Sequence, residues 1–141
     1  MTMLNRQPVH TDQAPAAVGP YSQAIISNGF VFVSGQTPID PSTGKLIDGD
    51  IAAQTEQVFK NLTAILEAAG TSLANVVKAT VFLHEMRNFS AMNAVYTKFF
   101  PGAPPARSTI GNLDLPLGAQ VEIEVIALLP PIVPKQLEQF A

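Results

Sequence analysis

The sequence predicts an α+β domain with a mixed β-sheet and two helices on one face of the sheet. Apolar residues follow strand spacing, change twice to helical spacing and return, in the order strands, helix, strand, helix, strands. Both faces of the predicted strands are apolar, whereas two helices of these lengths cover about one face of such a sheet. The second face therefore requires another cover, and a further copy of the chain is the simplest one.

The first predicted element is a β-hairpin. The segments YSQAIIS and FVFVSGQ flank Asn28 and Gly29, a pair that suits the positive φ angles of a type I′ turn. A turn-rich insert follows, and Leu46 and Ile47 are expected to form a third, short strand.

Two helices are predicted from the spacing of apolar residues. The first covers residues 51–69, with Asp50 as its N-cap and Gly70 just after its last turn. The second is expected from about residue 88 to residue 100, where Pro101 stops it.

The remaining strands are β-branched and short. NVVKATVFLH predicts a strand between the helices, and ARSTIGNL and QVEIEVIALL are expected to pair as a final hairpin. In the last strand, one set of side chains is expected to face the helices: Val121, Ile123 and Val125. The alternate set is expected to face a neighbouring subunit: Glu122, Glu124, Ile126 and Leu128.

Length and composition limit the classes of protein. A chain of 141 residues with 47% hydrophobic and 13% charged residues predicts a single domain over residues 1–141. The net charge of −3 provides no basic surface for phosphate groups, which disfavours nucleic acid as a partner. The mean hydropathy of +0.22 favours a homo-oligomer, because it implies more apolar surface than one small core hides.

The chain has no cysteine, which excludes disulfides, thiolate nucleophiles and sulfur-ligated metals and favours an intracellular protein. The N-terminus lacks an apolar run of signal-peptide length, and charges or prolines interrupt every later candidate for a membrane span. These features predict a cytoplasmic protein without a membrane segment. A short organelle-targeting peptide is an alternative, and Arg6 is the only basic residue near the N-terminus that supports it.

Several standard catalytic motifs are absent from the sequence. HEMRN at residues 84–88 begins like a zinc-protease helix but has Asn88 in place of the second histidine, and His10 is the only other histidine. Phosphate-binding loops, nucleophile-elbow serines and CxxC pairs are also absent. We therefore expect no metal site, and phosphoryl transfer, triad hydrolysis and thiol redox chemistry are not supported.

Arg107 and Glu122 are the residues most suited to chemistry. Arg107 follows two prolines at the start of a strand, where it can be a surface residue in a salt bridge or a rigid bidentate clamp for a carboxylate. Glu122 can be a solvated rim residue or an acid in a subunit interface. If the final hairpin turns near Pro116, the two lie roughly 13 Å apart and can meet only across two subunits.

Five segments resemble the reactive intermediate deaminase family, RidA, also called YjgF-like. They are APAAVGPYSQAI, VSGQTPIDPSTG, VVKATVFL, FSAMNAVYTKFF and PARSTIGNLDLPLGAQVEIEVIAL. The resemblance covers a core of about residues 14–128, in the family's order and spacing. The Pro-containing tail, residues 129–141, extends past the usual end of the family and is expected to be an extended arm.

The resemblance implies a chorismate-mutase-like fold that assembles as a homotrimer with clefts between subunits. It also implies hydrolysis of 2-imino acids and their enamine tautomers, such as 2-iminopropanoate and 2-iminobutanoate, to 2-keto acids and ammonia without a cofactor. The family's arginine corresponds to Arg107 and its acid to Glu122. The implied substrate-binding residues are Arg107, Tyr21, Ser34, Gly35, Phe89, Asn93 and Thr109.

The sequence departs from the family at two positions. Thr109 stands where the family commonly has Cys, and Leu113 stands where a small residue is usual. A role of the first position through its backbone N–H would be unaffected by this change.

Two other functions remain open at this point. Some relatives have been described as endoribonucleases or translation inhibitors, although the acidic composition and the lack of a basic, aromatic-rich groove oppose that function here. A noncatalytic carboxylate-binding or chaperone-like trimer would use the same clefts.

Overall fold

A computed structural model describes residues 5–131 of the chain. Most of the predicted C-terminal arm, residues 132–141, lies outside the described residues. The helices are α1 (Ile51–Ala69) and α2 (Phe89–Phe99). The strands are β1 (Gln7–Val9), β2 (Ala24–Ser27), β3 (Phe30–Gln36), β4 (Ile39–Asp40), β5 (Lys45–Leu46), β6 (Val76–Leu83), β7 (Ala106–Ile110) and β8 (Val121–Leu128).

The predicted local elements are mostly confirmed. The turn between β2 and β3 has φ of 52° at Asn28 and 78° at Gly29, as a type I′ turn requires. The Asp50 side chain accepts a hydrogen bond from the Ala53 backbone N–H, and Gly70 ends α1 in the left-handed conformation. The short third strand lies at Lys45–Leu46, one residue earlier than expected, and pairs with β4.

The edge strand β1 was not predicted from the sequence. It contains Pro8, which lacks a backbone N–H and so weakens the sequence signal of a strand. The position at the sheet edge accommodates this proline, because β1 pairs only with β2.

The predicted pairing of the last two strands is wrong. The six-stranded sheet has the order β1-β2-β3-β8-β6-β7, so β7 does not pair with β8. Strand β7 runs parallel to β6 because α2 crosses over between them, and β8 lies antiparallel to both β3 and β6. The sheet is therefore mixed, as predicted, with β7 at its edge.

The predicted inward face of β8 is confirmed. Val121, Ile123 and Val125 are buried in the core with the inward residues of α1, and so is Ala127. The alternate set is half-buried or exposed: Glu122, Glu124, Ile126 and Leu128. The outer face of the sheet also carries Phe30 and Phe32, which are 37% and 44% exposed in the single chain. The two helices thus cover one face and leave an apolar surface on the other.

Candidate functional site

Arg107 lies on the helix-facing side of β7 and contacts α2. One of its terminal nitrogens, Nη1, donates a hydrogen bond of 2.8 Å to Asn93 Oδ1. Its guanidinium carbon lies 4.7 Å from the centre of the Tyr96 ring and 5.5 Å from the centre of the Phe89 ring. We call these four residues, Phe89, Asn93, Tyr96 and Arg107, the arginine cluster.

The helical spacing of α2 places three members of this cluster together. Phe89, Asn93 and Tyr96 are separated by four and three residues, so they lie on one face of the helix. The aromatic rings hold the planar guanidinium by cation–π contact, and the amide oxygen fixes its rotation. The arrangement leaves most of the five guanidinium N–H donors available to a ligand.

Tyr96 was not among the predicted site residues. Its ring packs edge-on against Phe59 in the core, and its hydroxyl is buried without a hydrogen-bond partner among the described residues. Burial raises the pKa of Tyr96, and the nearby positive charge of Arg107 opposes that effect. The spacing from Phe89 and Asn93 was the available signal in the sequence.

Arg107 is not a surface residue in a salt bridge. The side-chain ion pairs found within residues 5–131 are His10–Asp12 and Arg87–Glu85, and neither involves Arg107. The groups that orient this partly buried guanidinium are neutral. Its positive charge is therefore not compensated by a carboxylate within residues 5–131 and can bind an anionic ligand. A carboxylate or a phosphate group fits such a planar fork.

Glu122 lies in a pocket of about 320 Å³, apart from the arginine cluster. Tyr21, Ser34 and Gly35 line the same pocket, and we call these four residues the glutamate pocket. The other lining residues are Pro15, Ala16, Val18, Gln23, Gln36, Thr37, Ile39, Pro116 and Leu117.

Gly35 allows the carboxylate of Glu122 to lie directly against the backbone. A Cβ atom at position 35 would be 2.2 Å from Glu122 Oε1, which is closer than any real contact. The glycine is therefore needed for this position of the carboxylate and not for an unusual backbone angle.

The neighbouring hydroxyl groups are oriented by the backbone. Ser34 Oγ donates to the Ser22 carbonyl oxygen at 2.6 Å, which leaves its lone pairs for a ligand or water. Tyr21 Oη accepts from the Val18 backbone N–H at 3.2 Å, so its own proton stays available for donation.

The pKa of Glu122 is raised above its ordinary value. Burial is the larger cause, and the like charge of Glu124 is the second. Folding therefore favours the protonated form of this group. Its contribution to stability is present below the ordinary pKa of a glutamate and is lost as pH rises through the raised value.

Two buried amide side chains hold the loops around the glutamate pocket. Gln23 Nε2 donates to the carbonyl oxygens of Thr11 and Pro15, and Asn61 Nδ2 donates to those of Thr37 and Ile39. These bonds attach the loops to the residue before β2 and to α1. Two of the loops around the pocket are thus held by buried hydrogen bonds.

The arginine cluster and the glutamate pocket lie on opposite faces of the sheet. Ala79 pairs with both Arg107 and Val125, which places Glu122 three residues along and two strands away, about 14 Å between the backbones. The expected hairpin of β7 and β8 is absent, but the distance between Arg107 and Glu122 is close to the roughly 13 Å expected from the sequence. Thr109 lies two residues beyond Arg107 on the same face, with the arginine cluster.

No metal-binding cluster and no membrane-crossing helix occur within the part of the chain that the structure describes. Across residues 5–131, no three histidine or acidic side chains are grouped closely enough to hold a metal ion. No helix in the same range is long and apolar enough to span a bilayer.

The chain is similar to known proteins over most of its length. Residues 11–129 match the family model described as Endoribonuclease L-PSP. The chain is 47% identical to Reactive Intermediate Deaminase A, chloroplastic, of Arabidopsis thaliana, over 89% of the chain and 67% of that protein. It is 43% identical to a mouse protein named 2-iminobutanoate/2-iminopropanoate deaminase, over 94% of the chain and 98% of that protein.

A solved structure supports the fold. The chain superposes on E. coli TdcF with bound serine at a TM-score of 0.82 and 36% identity, over 86% of this chain and 98% of that one. The predicted α+β architecture, with two helices on a mixed sheet, is therefore confirmed.

Proposed function

The chain belongs to the endoribonuclease L-PSP family, and from this premise we propose that it hydrolyses reactive 2-imino acids to 2-keto acids and ammonia. Similar proteins named as imino acid deaminases support this reaction class. One observation on the chain itself carries the proposal. A guanidinium without a carboxylate partner and a half-buried carboxylate with a raised pKa form two complementary half-sites.

The two half-sites become one site if subunits assemble through the apolar sheet face. Leu128 is 45% exposed on this face, beside the exposed Phe30 and Phe32, and burial of such a surface favours association. We propose a homotrimer in which the arginine cluster of one subunit faces the glutamate pocket of the next. Each cleft then contains one guanidinium and one carboxylate.

In this proposal Arg107 binds the substrate carboxylate with two parallel hydrogen bonds. Phe89 and Asn93 hold the guanidinium plane, and Tyr96 is the aromatic ring nearer to it. On the same side of the cleft as Arg107, the backbone N–H of Thr109 assists in binding the carboxylate. On the other side, Tyr21, Ser34 and the backbone at Gly35 orient the imine. The substrate is a small 2-imino acid such as 2-iminopropanoate or 2-iminobutanoate.

Glu122 then acts as the general base and acid. It takes a proton from water as the water oxygen forms a bond to C2 of the protonated imine, which gives a neutral carbinolamine. The protonated Glu122 passes this proton to the amino nitrogen, and the C–N bond breaks with its electron pair leaving on ammonia. The hydroxyl proton returns to Glu122 or solvent, and the 2-keto acid remains.

The test is the lifetime of freshly generated 2-iminopropanoate in the presence of purified protein. The proposal expects a shorter lifetime, with release of pyruvate and ammonia. A Glu122→Gln variant is expected to bind substrate with little change in KM while its kcat falls, because only the proton transfer is removed. An unchanged imine lifetime with the wild-type oligomer would contradict the proposal.

The family description keeps endoribonuclease activity as an alternative. The net charge of −3 opposes binding of a phosphate backbone. RNA cleavage by the purified protein that weakens steeply with salt would favour this alternative. Binding of carboxylates without imine turnover would instead favour a noncatalytic trimer.

Gly35→Ala is expected to lower kcat/KM on 2-iminopropanoate by about 10- to 100-fold, because the added methyl group displaces the Glu122 carboxylate. The obstructing atom is the end of a flexible side chain, so the fold and melting temperature are expected to change little. Gly102→Ala is the matched control, since no atom lies within 4 Å of an added Cβ there. Equal activity of both variants would argue against the role of Glu122.

Glu124→Gln is expected to shift the acid limb of the pH profile of kcat/KM to lower pH. Glu122 must be ionised to act as a base, so activity is lost as pH falls through its pKa. Removing the like charge of Glu124 lowers that pKa. Glu67→Gln on α1 changes the net charge equally and is expected to leave the limb in place; an unshifted limb for both variants would contradict the assignment.

A further inference from the structure

Leu117 has an unusual backbone conformation at the mouth of the glutamate pocket. Its φ and ψ are 60° and 14°, which lie in the left-handed region that a leucine rarely adopts. The residue is also 64% exposed in the single chain. A glycine or asparagine would adopt this turn more easily, so neither the backbone nor the core of the chain accounts for an apolar side chain here.

Leu117 lines the glutamate pocket together with other apolar residues. Val18, Ile39 and Pro116 line the same 320 Å³ space, together with the polar residues Glu122 and Ser34. At about 30 Å³ for each water-sized group, this volume holds about ten such groups. In the single chain this exceeds the six non-hydrogen atoms of 2-iminopropanoate, so the space admits an imino acid with a branched aliphatic side chain.

We propose that Leu117 selects substrates by contacting their side chains, so that imino acids with branched aliphatic side chains are preferred to the alanine-derived imine. This inference rests on the proposed function, because it assigns the apolar residues of that site to the substrate side chain. The imine carbon lies near Glu122, and the aliphatic group extends toward Leu117 and Val18. Burial of its methyl groups against these side chains supplies the selectivity.

The experiment measures kcat/KM for the imines derived from leucine and from alanine, each generated in the assay by an amino-acid oxidase. The ratio of the two values is expected to fall about tenfold in Leu117→Gly and in Leu117→Asn, which tolerate the left-handed turn. Leu117→Met keeps an apolar side chain and is expected to retain the ratio within about twofold. Gly102→Ala, which lies outside the pocket and has open space around an added Cβ, is the control and is expected to leave the ratio unchanged.

The outcomes separate this inference from the proposed function. Leu117→Gly is expected to melt no lower than the wild type, because glycine relieves the left-handed strain. An active wild type whose ratio is the same in the glycine and asparagine variants would overturn the role of Leu117 alone. A wild type that hydrolyses neither imine would overturn the proposed function and this inference with it.

Discussion

Arg107→Lys is expected to lower kcat/KM toward 2-iminopropanoate by roughly 30- to 5,000-fold. Loss of one partner from a desolvated, hydrogen-bonded charge pair costs about 2–5 kcal/mol, and each 1.4 kcal/mol corresponds to about tenfold. Lysine keeps the charge but lacks the planar fork that Asn93 and Tyr96 orient. In the proposed mechanism the substrate carboxylate is bound in both the ground state and the transition state, so most of the loss is expected in KM.

The control for this variant is Arg87→Lys. Arg87 is an exposed arginine paired with Glu85, and replacing it is expected to leave kcat/KM unchanged. Sedimentation of the wild type and both variants checks that neither substitution changes the oligomeric state. Wild-type turnover by an intact Arg107→Lys oligomer would show that the guanidinium does not bind the substrate.

Local features of the fold could be predicted because they depend on neighbouring residues. The alternation in β8 defined which side chains face α1, and Asn28 and Gly29 defined a turn. The strand that pairs with β7 could not be predicted from neighbouring residues. The short connection to β8 is typical of a hairpin, but the crossover through α2 places β7 parallel to β6, and alternation does not identify the neighbouring strand.

The candidate site shows the same limit. The side-chain chemistry of Arg107 and Glu122 predicted that both belong to a site. The structure places each of them beside several of the other predicted residues. Tyr96 was missed because an aromatic residue at helical spacing usually belongs to the core. It does pack against Phe59, but its other contact is the guanidinium, and no pattern along the chain separates these two roles.

Mixing two inactive variants is expected to restore activity if the site forms between subunits. Arg107→Ala retains the glutamate pocket, and Glu122→Gln retains the arginine cluster. In a ring of randomly mixed subunits, a given cleft combines an intact pocket with an intact cluster in one case of four. Equal amounts of the two variants, refolded together, are therefore expected to recover about one quarter of the wild-type activity.

This fraction does not depend on the number of subunits in the ring, because each cleft samples two independent neighbours. The recovery therefore tests the shared site separately from the trimer, which sedimentation tests. Each variant refolded alone is the control and is expected to stay at the low activity of a damaged site. No recovery in oligomers shown to contain both variants would indicate that Arg107 and Glu122 do not share a site between subunits. The two residues could then not act together at all, because about 14 Å separates them on opposite faces of one sheet within a chain.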